Sequence, residues 1–244
     1  MRLHDLRDGL KTRFPNIYWK ARNTLALGEW YWRRFFQRSD SGTLASPYDD
    51  QFWDLHDSGD WNQVAQLLLN WFQPKSVMDL GCGDGKLIGA LRQIDSGLKL
   101  HGFDSSISAL NKAKNIDLPV TYLNLVSIRE LDIDAFYKKI GPFDLAICLE
   151  VIEHIPPWYS HKLLRFLTHC NTIIFSAAHP LQGGTLHVNE QPADYWIEKF
   201  KKLGFDLLEN NELFRAEFGK IDVPYWYHQN IQVLRARHMI SSHV

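Results

Sequence analysis

The chain has 244 residues, 45% hydrophobic and 13% aromatic, enough for one large α/β domain with or without an appendage. A net charge of −1 argues against broad, sequence-independent binding of nucleic acid. Three scattered cysteines (Cys82, Cys148, Cys170) argue against a disulfide frame or a structural zinc site. No apolar run approaches the ~20 residues of a membrane span, and Asp5 and Asp8 interrupt any leader-like start, so the expected compartment is the cytoplasm.

Residues 1–46 differ in character from the rest. Through Arg38 they carry nine Lys/Arg against Asp5, Asp8 and Glu29, a local charge of +6. Phe14, Tyr18, Trp19, Trp30, Tyr31, Trp32, Phe35 and Phe36 interleave with these charges. This is the pattern of a helical arm, which either packs on the domain or a second subunit or lies on an anionic membrane as a peripheral contact. Ser39–Pro47 reads as a linker, and residues 47–244 as the main domain.

Within that domain Trp61–Phe72 has helical spacing of Val64, Leu67, Leu68 and Trp71, and Pro74 stops it. Strands are expected at Ser76–Leu80, Leu98–Phe103, Val120–Leu123, Phe143–Leu149, Thr172–Ser176, Phe205–Glu209 and about Ile231–Arg235. Helices are expected at Lys86–Gln93, Ile107–Lys114, Trp158–Thr168 and Ala193–Leu203. The alternation predicts an α/β fold, a doubly wound and mostly parallel sheet whose ligands bind at the carboxyl ends of the strands.

The first strand ends in Asp79-Leu80-Gly81-Cys82-Gly83-Asp84-Gly85-Lys86. Glycines at alternate positions allow a tight turn and close approach of a ligand, and the free N–H groups of the following helix favour carboxylate or phosphate. The next strand ends in Asp104, 19 residues past Gly85, where an adenosine ribose needs an acceptor. A dinucleotide site wants G-x-G-x-x-G, but Lys86 occupies the place of the third glycine.

The resulting G-x-G-x-G resembles motif I of the class I S-adenosylmethionine (SAM) methyltransferases, Asp104 resembles their motif II, and Phe143–Ile155 their motif IV. The run Phe175–Pro192, with Tyr195-Trp196 and Trp226-Tyr227-His228-Gln229-Asn230, is similar to a bacterial branch that often accompanies cell-surface glycan or sugar assembly. The resemblance covers roughly Tyr48–Arg235 and makes residues 47–244 the methyltransferase domain. It implies a seven-stranded Rossmann-like sheet with the last strand antiparallel. It places Asp79, Gly81, Cys82, Gly83, Gly85 and Leu149 against the cofactor, Asp104 and Ser105 or Ser106 at the ribose, and Asn124 at the adenine, where the family usually has an acid.

Glu150, Glu153 and His154 form E-x-x-E-H, which on a helical turn would share one face and offer a divalent-metal site. The pattern resembles that of ubiquinone-pathway O-methyltransferases and small-RNA 2′-O-methyltransferases, where it holds magnesium or a similar ion with a further ligand from the loop after strand five. His187 or His179 would supply that ligand here. A metal so held would acidify an acceptor hydroxyl. The alternative leaves Glu153 and His154 as walls of a metal-free cleft, with His154 or His187 as general base. His187 and Glu190 read as catalytic groups on a lid hinged at Gly183-Gly184, and Asn189 as a helix N-cap. Trp196, Tyr225, Trp226 and Tyr227 are core residues or stacking platforms for a ring.

The expected function is SAM-dependent O-methylation of a sugar, a glycan precursor or another polyhydroxylated small molecule. The rivals are an RNA 2′-O-methyltransferase, disfavoured by the near-neutral charge, a non-catalytic SAM-binding partner subunit, and a dinucleotide oxidoreductase.

Overall fold

The computed structural model describes residues 11–36 and 59–237. The linker expected at Ser39–Pro47 and both ends of the arm lie outside them. The arm contributes a long helix, α1 (Pro15–Phe36). Then come α2 (Trp61–Phe72), β1 (Ser76–Leu80), α3 (Lys86–Ile94), β2 (Lys99–Asp104), α4 (Ile107–Asn115), β3 (Val120–Tyr122), α5 (Glu130–Ile140) and β4 (Phe143–Leu149). Two 3-10 turns follow, Ile152–His154 and Pro157–Tyr159, and then α6 (Ser160–Leu167), β5 (Cys170–Ser176), α7 (Ala193–Lys202), β6 (Phe205–Leu207), α8 (Asn211–Phe218), α9 (Tyr225–Asn230) and β7 (Gln232–Ala236).

The seven strands form one sheet in the order β3-β2-β1-β4-β5-β7-β6. β1 to β5 are parallel, and β7 runs antiparallel between β5 and β6. β1 is buried along its whole length. Its alternate residues feed two layers: Met78 and Leu80 pack with Phe103, Ala146 and Phe175, whereas Val77 packs with Leu145, Ile147 and Val233 on the other face. Burial on both faces explains why the strands read as continuous apolar runs. The three cysteines are free thiols buried in these layers.

Three features set the frame. Asp60 caps α2 by accepting from the Gln63 N–H. At the starts of β1 and β4, Asp144 accepts from the N–H groups of Lys75 and Ser76 and from the Ser76 hydroxyl. Strand order reverses between β1 and β4, so the loops after β1, β2, β4 and β5 gather around one crevice.

Several expected boundaries shift. The helix expected from Trp158 begins at Ser160, because Pro157 opens a 3-10 turn instead. Helices α5, α8 and α9 are additional to those expected.

Candidate active site

One side of the crevice is the glycine loop. Gly81, Gly83 and Gly85 all have positive φ (89°, 54° and 84°), and Gly85 caps α3. The glycines also serve internal packing. A Cβ on Gly81 would overlap the Val151 side chain, and one on Gly85 would lie 2.6 Å from Leu118 Cδ1. The loop is pinned to β2 by the Gly81 and Cys82 N–H groups, both donating to the Phe103 carbonyl (2.7 and 3.0 Å). Asp104 closes the corner, accepting from the Gly83 N–H (2.9 Å) and the Ser106 N–H (2.7 Å). Its carboxylate keeps lone pairs for further donors.

Asp79 is buried beneath this loop. Burial, and next the neighbouring Asp104, push its pKa up to about 7. Burial likewise raises Asp104, opposed by the N–H groups of Ser106, Gly83 and Ser105. Two under-compensated carboxylates suit a ligand that brings positive charge and ribose hydroxyls. They would repel a pyrophosphate.

Two expected cofactor contacts change. The Cys82 side chain turns away from the loop surface and packs against Gly102, where a Cβ would lie 2.7 Å from its Sγ, so only its backbone is available to a ligand. The Asn124 amide oxygen accepts from the N–H groups of Val126 (3.0 Å) and Ser127 (3.3 Å), a local turn that takes the lone pairs intended for adenine. Ser105 is exposed beside the corner, and Leu149 is half-buried at the end of β4.

The opposite side is built by the E-x-x-E-H segment and the loop after β5. The expected shared helical face does not form. Glu150 has φ 54°, in the left-handed region, and only Ile152–His154 are helical, as one 3-10 turn. The kink sends the Glu150 carboxylate to the Gln182 amide (2.9 Å) and the Asn230 amide (3.1 Å). Glu150 thereby leaves the expected ligand set, although it stays close enough to Glu153 to raise that group's pKa. Among the described residues, a group of possible ligands forms from Glu153, His154 and His187, whose ligand atoms all lie within 4.8 Å of one another.

Glu153 is fully buried, and its carboxylate oxygens lack a well-formed hydrogen bond, with the backbone N–H groups of Glu153 and Ala178 and the Glu150 carboxyl as weak polar neighbours. Burial first, and Glu150 second, raise its pKa well above the usual carboxylate value. The His154 and His187 rings meet edge to face at 4.8 Å. Burial and the nearby His187 hold His154 down to about 3, against the opposing backbone of Leu186 and Thr185. Burial thus favours the neutral His154 ring and weighs against its expected role as general base.

The loop after β5 is fastened to this segment. The Val188 and Asn189 N–H groups both donate to the Glu153 carbonyl (2.8 and 3.0 Å). The Asn189 amide donates to Ser160 Oγ (2.9 Å) and the Ile155 carbonyl (3.1 Å). Asn189 is thus a buried brace, and Pro192 takes the N-cap position of α7. Glu190 was expected to be catalytic, but its carboxylate is fully buried and committed. It accepts from the Leu181 N–H (3.0 Å), the Gly183 N–H (3.0 Å), His187 Nδ1 (3.1 Å) and Arg22 Nη1 (2.6 Å). It holds His187 by Nδ1 and leaves Nε2 as that ring's ligand atom. Gly183-Gly184 is tied into this network. A Cβ on Gly184 would overlap the His187 ring.

His179 lies half-buried in the same loop, its pKa lowered mainly by burial. Of the aromatics, Trp196 is core, and Tyr225 is exposed. Tyr227 is half-buried, and its phenol pKa is raised by burial first and then by Glu150, Glu153 and Asp79, which places it beside both halves of the site. Gln182, Asn230 and Arg22 are site residues that the sequence reasoning did not assign.

The comparisons with known proteins bear on family and fold. The profile of a family described as methyltransferase domain matches residues 58–210, more than half of the chain. A ubiquinone biosynthesis O-methyltransferase of Albidiferax ferrireducens is 29% identical over 116 residues, covering 43% of this chain and 44% of that protein. A small RNA 2′-O-methyltransferase of Mus musculus is 34% identical over 118 residues, covering 43% of this chain and 28% of that protein. The chain thus spans less than half the length of these curated relatives. The sugar N-methyltransferase KedS8 of Streptoalloteichus shares the fold at a TM-score of 0.55 and 13% identity, covering 80% of this chain and 94% of that one. With the profile spanning both halves of the crevice, the chain belongs to the methyltransferase-domain family of SAM-dependent methyltransferases.

Proposed function

We propose that the chain transfers the methyl group of SAM to a hydroxyl oxygen of a small polyhydroxylated acceptor, a sugar or glycan precursor, with a divalent metal at Glu153, His154 and His187. One observation carries the metal: Glu153 is a fully buried carboxylate without a well-formed hydrogen bond, beside two imidazoles. A lone buried carboxylate is costly unless it is protonated or meets a cation. Two nitrogens and one carboxylate suit zinc, manganese, iron or cobalt better than magnesium, which prefers an oxygen shell. When bound, such an ion acidifies a hydroxyl and screens the developing alkoxide.

The chain's own groups do the rest. Asp79 and Asp104 face the cationic and ribose portions of the donor. Glu190 fixes the His187 ring through Nδ1, and burial favours the neutral His154 ring. The dominant contribution is alignment of acceptor oxygen, methyl carbon and sulfur in one line. The resemblance of Phe175–Pro192 to the glycan-associated branch supports a sugar acceptor, and the net charge of −1 disfavours a polyanion. The similarity to the mouse enzyme keeps RNA as the competing acceptor.

The arm's outward face exposes Phe14, Ile17 and Leu25 beside Lys11, Arg13 and Lys20, which supports peripheral contact with an anionic membrane. Sedimentation with anionic vesicles tests this contact, and full recovery in the supernatant rejects it.

The decisive assay incubates the full chain with methyl-labelled SAM and a panel of nucleotide sugars, envelope precursors, catechols and short RNAs. Activity is measured with EDTA and after adding back single metals. Label in an ether on a sugar, lost in EDTA and restored by manganese, cobalt or zinc, is the expected result. Label only in RNA or on nitrogen would overturn the acceptor. Full activity in excess EDTA would remove the metal.

A further inference from the structure

Helix α1 lies against the two loops that carry the Glu153–His154–His187 cluster. At one point Arg22, itself half-buried, places Nη1 2.6 Å from Glu190 Oε1 and Nη2 3.4 Å from the Gly184 carbonyl. About two and a half turns further along, roughly 14 Å, the Tyr31 ring stacks on Trp158 (5.9 Å, 19° between planes). Trp158 lies in the second 3-10 turn after β4, just beyond the turn that ends in His154. The first anchor thus grips the loop after β5 and the second the loop after β4.

Spacing on α1 explains the contact. Tyr18, Trp19, Arg22, Asn23, Ala26, Leu27 and Trp30 are its sheltered residues and recur at helical intervals, so one stripe faces the domain. Arg22 sits mid-stripe. Its partner Glu190 is the group that also holds His187 Nδ1 and the N–H groups of Leu181 and Gly183. A guanidinium with two nitrogens in play fixes both the carboxylate and the Gly184 backbone, against which the His187 ring packs.

The seat of the arm is otherwise imperfect. Trp19 Nε1 and Asn23 Oδ1, adjacent to Arg22 on the same stripe, are buried without a hydrogen-bond partner. Each such group costs about 1–3 kcal/mol. The contact of α1 with the loop therefore leans on Arg22 rather than on uniform close packing.

We infer that Arg22 is a positioning residue of the active site: through Glu190 and Gly184 it straps the loop after β5 down and sets the His187 ring. This makes the arm part of the catalytic assembly. The inference rests on the crevice being a methyltransferase centre, but its first test does not.

That test is hydrogen–deuterium exchange on the full chain, comparing wild type, Arg22→Ala and Arg22→Lys. The amides of Leu181 and Gly183, both bonded to Glu190, should exchange at least tenfold faster in Arg22→Ala. Strand β1 and β4 amides should be unchanged, and Arg22→Lys should recover most of the protection. The second readout is methyl transfer to the best acceptor of the panel: kcat should fall about tenfold in Arg22→Ala, with the KM for SAM within twofold. Unchanged exchange at Leu181 and Gly183 overturns the strap. Faster exchange with unchanged kcat overturns the positioning of His187. If wild type transfers no methyl group, the proposed function fails while the exchange result still decides the strap. If Arg22→Ala does not fold, Arg22→Gln, which keeps much of the length and loses the charge, stands in its place, with faster exchange at the same two amides expected and unchanged exchange overturning the strap.

Discussion

The proposed contact of Asp79 with the donor's cationic groups predicts that cofactor affinity depends on pH. The Asp79 carboxyl titrates at about 7 in the free protein, raised by burial and by Asp104. A bound ammonium or sulfonium favours the ionised form, so the pKa is lower in the complex. Affinity for S-adenosylhomocysteine is therefore highest above pH 7 and should fall up to tenfold per unit as pH drops below it. Calorimetric titration from pH 5.5 to 8.5 checks this. The slope should vanish in Asp79→Asn, and binding should drop at least a hundredfold at pH 8. Because that substitution also removes a buried charge, its cofactor-free form should melt several degrees higher than wild type at pH 8. Glu153→Gln should likewise stabilise the metal-free protein, since it replaces a buried carboxyl without a well-formed hydrogen bond by a neutral isostere, and abolish binding of cobalt or zinc measured by calorimetry. Gly184→Ala should leave cofactor binding intact and cut turnover at least tenfold, because its Cβ would displace the His187 ring.

At the scale of elements, what was readable depended on whether the signal was local. The glycine loop and Asp104 stand out because a turn, a helix start and a strand tip each constrain residue type nearby. Even there the constraint was double: Gly81 must be glycine because Val151 fills the space of its Cβ, at φ 89°. Gly81→Ala should thus destabilise the fold by about 2 kcal/mol or more, readable in urea unfolding. The E-x-x-E-H face was misjudged because spacing presumes a continuous helix, and the left-handed turn at Glu150 breaks it. Helix α5 escaped notice because Leu131 and Ile133 alternate with acids at period two, and its N-cap residue Arg129 makes no side-chain cap bond. Asn189 shows the ambiguity of a polar residue just before a helix. It braces Ser160 instead of capping α7. The link from Arg22 to Glu190 joins residues 168 apart, and no local pattern announces such a pair.

For the whole molecule, one sheet with two apolar layers carries the glycine loop, Asp104 and the Glu153–His154–His187 group at the ends of its strands, so ligand binding and folding are linked. A ligand at a hundred times its Kd adds about 2.7 kcal/mol, which for a domain of this size raises the melting midpoint by roughly 5–10 °C. S-adenosylhomocysteine should give that shift and NAD none. The buried cysteines offer a different view of the same coupling. Burial suppresses the thiolate at all three, pushing Cys170 up to about 12 and raising Cys82 and Cys148 as well. The native protein should therefore be silent to alkylating reagents, and each thiol becomes a clock for the opening of its own surroundings. Cys82, lodged between the glycine loop and Gly102, times the cofactor loop alone, and occupancy by the donor should slow that clock while leaving the one at Cys170 running at its own pace.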